Sequence, residues 1–241
     1  MNSIRIYSFI AKPTFRLLSN LGVVSVLRSS RVGTHIASLF AIHDVRAMIS
    51  LDLAWWPYFA QENVEKFIFD RGSACRVFEW GAGASTIWFE KRSCIITSIE
   101  HHEEFYRSLL ELKSAYGLNF ELKLRMSTSA ELSSKYLSGK RGYERQTFED
   151  YVCAIDEHGL FDIIVIDGRA RADCLQHAIE HLKEDGIVVF DNSNRARYAK
   201  AIKTSGLVAR KVSGLTPASP WATSTTFLAK KASILDHLFQ S

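Results

Sequence analysis

Residues 76–91 read RVFEWGAGASTIWFEK, and the fold turns on them. A short apolar run at 76–78 leads into an acid, Glu79, then Gly81 and Gly83 with one residue between them, and a helix-like segment from Ser85. Glycine at those places permits a tight turn and lets a ligand approach the backbone, and Ser85 can cap the helix that follows. Strand, glycine turn and helix form the first half of a nucleotide-binding βαβ unit.

The rest of the chain keeps that rhythm. Strand-like runs at 76–78, 94–99, 120–124, 161–166, 186–190, 207–212 and 223–229 are separated, up to the sixth, by helix-like segments at 85–91, 103–116, 147–157, 173–183 and 194–204. Several runs are almost continuously apolar, which suits strands covered on both faces. The expected fold is α/β, a doubly wound parallel sheet of Rossmann-like type. The last two runs are joined only by a loop holding Gly214, Pro217 and Pro220, so they read as an antiparallel pair closing the sheet. Segment 127–145, rich in Ser and Lys, reads as a surface loop or small insertion.

The 241 residues suit one core, with 47% hydrophobic and 23% charged residues and no repeat. Residues 1–60 read as a basic, helical N-terminal extension and 61–241 as the sheet domain. In the extension Arg5, Lys12, Arg16, Arg28 and Arg31 precede the first acid, Asp44. That bias fits a docking arm, attachment to a membrane surface, or an organelle presequence. A helical pattern over 33–59 ends in Trp55, Trp56, Pro57, Tyr58 and Phe59, where proline breaks the helix. The aromatic group reads as core, or as a lid or substrate wall. Cys75, Cys94, Cys153 and Cys174 lack paired spacing and sit in apolar segments, which points to reduced thiols and a cytoplasmic location. A net charge of +4 without a dense basic run argues against nucleic acid as a partner.

Ligands of such sheets sit beyond the carboxyl ends of the strands, so the turns there decide the function. A nicotinamide-binding turn would show GxGxxG and place a pyrophosphate on the helix N-terminus. Here the third glycine position is Thr86, and Glu79 precedes the turn. A carboxylate suits a cationic ligand: S-adenosylmethionine carries a sulfonium and an ammonium against one carboxylate. Opposite charges ~4 Å apart interact by about 4 kcal/mol at an effective dielectric near 20. Glu100 ends the second strand 19 residues after Gly81, where a carboxylate can accept both ribose hydroxyls. It can equally be an acid at the start of the next helix, beside Glu103 and Glu104.

Taken in order, Glu79-Trp-Gly81-Ala-Gly83-Ala-Ser85, Glu100 after the second strand and an acid ending the fourth resemble the class I S-adenosylmethionine-dependent methyltransferases. The resemblance runs from about Trp55 to Lys230. It implies a seven-stranded sheet of order 3-2-1-4-5-7-6 with its last strand antiparallel. It also implies a cofactor-binding set of Glu79, Gly81, Gly83, Ser85, Glu100, His101 and Asp167.

Asp167 ends the fourth strand in FDIIVIDGRAR, and Asp191 and Asn192 end the fifth in GIVVFDNSNR. This trio is similar to the metal ligands of the catechol-type O-methyltransferases, and two carboxylates with an amide oxygen suit Mg²⁺. The implied catalytic residues are Asp167, Arg169 and Asp191, transferring methyl to a hydroxyl of a small molecule or glycan. One departure stands out: the lysine base of that family is replaced by Ala170, between Arg169 and Arg171. Asp167 is then the alternative base, or the arginines grip an anionic acceptor such as a carboxylate or phosphorylated sugar. Asp191-Asn192 also reads as a plain strand-ending turn with a helix cap. Arg195 and Tyr198 follow on the next helix, facing the same cleft or the solvent.

His177-Ala-Ile-Glu180-His181 spells HxxEH, a metalloprotease signature, but lies in a crossover helix whose task is to cover the sheet. The rival readings are an NAD-dependent oxidoreductase and a non-catalytic partner subunit of the same fold. A homodimer is among the expected partners.

Overall fold

The computed structural model describes residues 3–42, 44–72, 75–130 and 135–240. The side chain of Arg5 and residues 131–134 of the polar segment lie outside the described residues. Seven strands form the central sheet: β1 (Arg76–Trp80), β2 (Ile95–Glu100), β3 (Glu121–Leu124), β6 (Phe161–Ile166), β7 (Leu182–Asp191), β8 (Val208–Leu215) and β9 (Ala222–Ala229). A separate two-stranded ribbon, β4 (Thr128–Ser129) with β5 (Gln146–Thr147), comes from the segment expected to be a loop or insertion.

Strand order in the sheet is β3-β2-β1-β6-β7-β9-β8. Strands β1, β2, β3, β6 and β7 pair in parallel, while β9 runs antiparallel to both neighbours. Numbered within this sheet, that is 3-2-1-4-5-7-6 with the seventh strand reversed, as the resemblance implied. The apolar run FDIIVI becomes β6, buried at every residue because helices cover both its faces.

Helices α5 (Tyr58–Arg71), α6 (Ala84–Glu90), α7 (Glu103–Tyr116) and α11 (Ala232–Leu238) pack with one face of the sheet. The other face carries α8 (Glu149–Val152), a 3₁₀ turn at Cys153–Glu157, α9 (Arg171–His181) and α10 (Ala196–Thr204). Helix α7 shows why such segments form: Glu103 and Glu104 lie in its first turn, Lys113 in its last, and Gly117 ends it at φ 61°.

The N-terminal extension forms α1 (Ser3–Asn20), α2 (Val23–Leu27), α3 (Arg31–Leu39) and α4 (Val45–Leu51). The expected single helical pattern over 33–59 is in fact interrupted after Leu39, because Asp44 caps a new helix by accepting from Ala47 N at 3.1 Å. Pro57 then opens α5, which runs across residue 60 without a linker. The extension is fastened to the sheet domain. Phe15, Ala37, Met48 and Leu51 share a buried cluster with Ala84 of α6, and Ala218 N donates to Ser38 Oγ at 3.0 Å. No helix among the described residues is long and apolar enough to cross a membrane.

Candidate active site

A cavity of about 820 Å³ lies beyond the carboxyl ends of the parallel strands. Gly81, Gly83 and Ser85 from the turn after β1, Glu100 and His101 from the end of β2, and Asp167 and Arg169 from the turn after β6 all line it. The sheet order brings these together: β1 is hydrogen-bonded to β2 on one side and β6 on the other, so three strand ends converge. Gly81 has φ +97°, and an added Cβ there would stand 2.8 Å from Gly168 N. Only glycine allows the two turns to meet so closely.

Glu79 is placed differently from the expectation of direct charge contact. It is fully buried and absent from the cavity wall, accepting hydrogen bonds from Ser85 Oγ, from Thr86 Oγ1 at 2.5 Å and from Ser98 Oγ at 2.7 Å. Its carboxylate ties β1, β2 and the first turn of α6 together. Burial pushes its pKa up to about 7, against the pull of the three hydroxyls. A raised folded pKa means that the folded state binds the extra proton, so this stability is complete below the ordinary carboxylate pKa and lost as pH rises toward 7. The stability of the native chain relative to Glu79→Gln should therefore decline between about pH 4.5 and about pH 7 and level off above. Urea titrations across that range check it, and a constant difference would show that Glu79 stays ionised throughout.

The amides of the glycine turn are already engaged. Gly81 N and Ala82 N donate to Ile99 O at 2.9 and 3.4 Å, and Gly83 N donates to Thr86 Oγ1 at 3.0 Å. Thr86, where GxGxxG would have its third glycine, is thus the residue that occupies the amide a pyrophosphate would need. Glu100, in contrast, keeps one carboxylate oxygen unspent. Its Oε1 accepts from His101 N at 2.8 Å and His102 N at 2.7 Å, and no hydrogen bond reaches Oε2 among the described residues. The other walls are Ile42, Trp55 and Phe105, with Thr216 to Trp221 of the loop after β8. Trp56, by comparison, is fully buried core.

The proposed metal trio is corrected by Arg171. Its guanidinium is buried between the carboxylates, with Nη2 2.7 Å from Asp167 Oδ1 and Nη1 3.9 Å from Asp191 Oδ2. It also donates to the carbonyl oxygens of Gly168, Asp167 and Asp191. Asp191 is 1% exposed, accepts from Thr225 Oγ1 at 2.7 Å and from the amide nitrogen of Asn192, and does not line this cavity. Burial, then the charge of Asp167, raises its pKa to about 7. Asn192 turns its nitrogen, not its oxygen, toward Asp191. Arg171 sits between the carboxylates and both Asp191 oxygens accept hydrogen bonds, so among the described residues Asp167 Oδ2 is the one carboxylate oxygen of the pair left over, which does not make a donor set for Mg²⁺.

Three further expectations find their places. His177 and His181 of HxxEH both face Asp156, at 3.0 and 3.3 Å, away from the cleft. Tyr198 is buried against Phe190, whereas Arg195 is exposed at the rim of a second cavity. All four cysteines are free, with Cys153 the half-buried one.

What the sequence reading missed is the contribution of the loop after β8 and of Lys140 and Tyr143. The first was findable. Because β8 ends on the same side as β7, the rule that ligands sit beyond carboxyl ends covers that loop too.

The strand order, the reversed last strand and the glycine turn define the Rossmann-like fold of the class I methyltransferases. No protein-family model matches the chain, and no curated protein matches it. Solved structures do. A methyltransferase-like protein of Silicibacter pomeroyi is 16% identical, with 77% of this chain and 96% of that chain covered at a TM-score of 0.47. A methyltransferase of Pyrococcus furiosus is 17% identical, covering 69% and 82% at 0.44. A Thermus thermophilus 16S rRNA N2 G1207 methyltransferase, solved with AdoMet and guanosine, is 15% identical, covering 71% and 42% at 0.48. At these identities the likeness is one of fold.

Proposed function

We propose that the chain is an S-adenosylmethionine-dependent methyltransferase acting on a hydroxyl of a small molecule or glycan. The observation that carries this reading is the combination at one cavity of an unpaired Glu100 Oε2 with a glycine turn whose amides are already used. A dinucleotide would ask those amides to hold a pyrophosphate, whereas a sulfonium cofactor asks only for close backbone approach and for a carboxylate at its ribose.

Bound there, the cofactor supplies a methyl group on sulfur that leaves a thioether behind when an acceptor oxygen displaces it in line. The chain's own residues do the rest. Glu100 would hold the ribose hydroxyls and Trp55 and Phe105 would line the site, while the closely packed turns at Gly81 and Gly168 would let the cofactor approach the backbone. Asp167 is the carboxylate on the acceptor side. Its Oδ1 is held by Arg171 while Oδ2 has no hydrogen bond among the described residues, so that oxygen can take the hydroxyl proton. Asp191 positions Arg171 and does not touch the acceptor. Arg169, in the wall, binds the acceptor and is no base, because guanidinium stays protonated.

The test is a calorimetric choice between two ligands: S-adenosylhomocysteine should bind the full chain, and NADH should not.

A further inference from the structure

Beside the cofactor cavity lies a smaller one, about 190 Å³, between residues 137–140, the turn after β6 and the start of α10. Lys140, Gly168 and Arg169 belong to both walls, so the two cavities meet at Arg169. Its lining holds five cations, Lys140, Arg169, Arg171, Arg195 and Arg197, against one carboxylate, Asp173. Arg171 is neutralised by Asp167 and Asp191. The other four have no ion pair with any carboxylate among the described residues.

The guanidinium of Arg169 lies 5.4 Å from the ring centre of Tyr143, and its Nε is buried without an acceptor. Arg197 is anchored by donating to Gly139 O and lies 5.2 Å from the Tyr198 ring centre. Tyr143 and Tyr198 thus keep two forks in place with most of their donors unspent. Lys140 shows the consequence of crowding: burial first, then the charges of Arg169 and Arg195, lower its pKa.

We infer that this cavity binds the phosphoryl group of the methyl acceptor. The identification of the occupant as part of the acceptor rests on the methyltransferase reading; the anion site itself rests on the cations. Four unpaired positive charges around one small space call for a dianion with several oxygens, which a phosphate monoester offers and a lone carboxylate does not. The volume is below the range of about 300–1,000 Å³ typical of whole-ligand pockets, so the space holds a group whose remainder extends past Arg169 toward the methyl donor. A polynucleotide would require a row of phosphate contacts along the surface, and here the cations ring one cavity in a chain of net charge +4.

Inorganic phosphate, titrated calorimetrically into the full chain with and without S-adenosylhomocysteine, tests the inference. One phosphate per chain is expected in both titrations. Arg195→Gln, exposed and outside the cofactor cavity, should weaken it about 10-fold, and Arg169→Gln combined with it about 100-fold. S-adenosylhomocysteine affinity of the Arg195→Gln chain, expected unchanged, reports that the variant is folded. Absence of phosphate binding in a chain that binds S-adenosylhomocysteine overturns the anion site and leaves the transfer reading standing. Phosphate binding that survives the double substitution overturns it as well. Phosphate bound without any S-adenosylhomocysteine affinity supports the anion site and removes the transfer reading. A short single-stranded oligonucleotide is the further arm: binding it much more tightly than phosphate, with a steep salt dependence, would show a polyanion surface and overturn the acceptor assignment.

Discussion

Arg171→Met should destabilise the chain by about 3 kcal/mol. The change removes the cation between Asp167 and Asp191 and three hydrogen bonds to main-chain carbonyls at the ends of β6 and β7. Two carboxylates, Asp191 buried and Asp167 lining the cavity, would then stand with no counter-charge. The cost is moderated because Asp191, whose pKa is already near 7, can take a proton. Without Arg171 that pKa rises further, and taking the proton costs more as pH rises, so urea unfolding at about pH 8 should show a greater loss than at about pH 6. Asp191→Asn in the same chain should return much of it, since the amide needs no cation. A native-like midpoint for Arg171→Met alone would mean that the guanidinium does not hold the two strand ends together.

Glu100→Ala should weaken S-adenosylhomocysteine binding about 100-fold. Two charge-assisted hydrogen bonds to ribose hydroxyls contribute roughly 1.5 to 3 kcal/mol each, and water replaces part of what is lost. The alanine also frees His101 N and His102 N, which now donate to Oε1, so some of its effect is local loosening. Glu100→Gln separates the two contributions. Its amide oxygen can keep both backbone bonds while the charge is gone, and a loss of about 10-fold is expected. If the glutamine chain binds as tightly as the native one, the ribose is held elsewhere.

Much of this site was legible because strand ends carry it. Gly81, Gly83, Glu100 and Asp167 follow apolar runs that can only be covered strands, and the sheet order places those ends side by side. The role of Glu79 was not legible. Its charge is visible in the sequence, but the three hydroxyls that take it up come from Ser85, Thr86 and Ser98, the last 19 residues away on another strand. The metal reading failed for a related reason. Arg171 sits four residues after Asp167, and only the turn through Ala170, at φ 44°, swings it back between the two carboxylates.

Helix α5 escaped notice for a different cause. Gln61 and Asn63 interrupt its apolar pattern, yet both are buried, Gln61 because it pairs with Ala54 N, Ala54 O and Trp56 O. Polar residues satisfied by a neighbouring loop look solvent-facing to any pattern of hydrophobicity. The start of β7 was read as the end of a helix for the same reason. Lys183 looks like part of a solvated helix face, but it pairs with buried Asp162 at 2.9 Å.

The central claim is that the cavity beyond β1, β2 and β6 takes a sulfonium nucleoside and not a dinucleotide. Isothermal titration of the native chain with S-adenosylhomocysteine and, separately, with NADH tests it most directly. One S-adenosylhomocysteine is expected to bind per chain, with no measurable heat from NADH. Tight NADH binding with S-adenosylhomocysteine silent would contradict it.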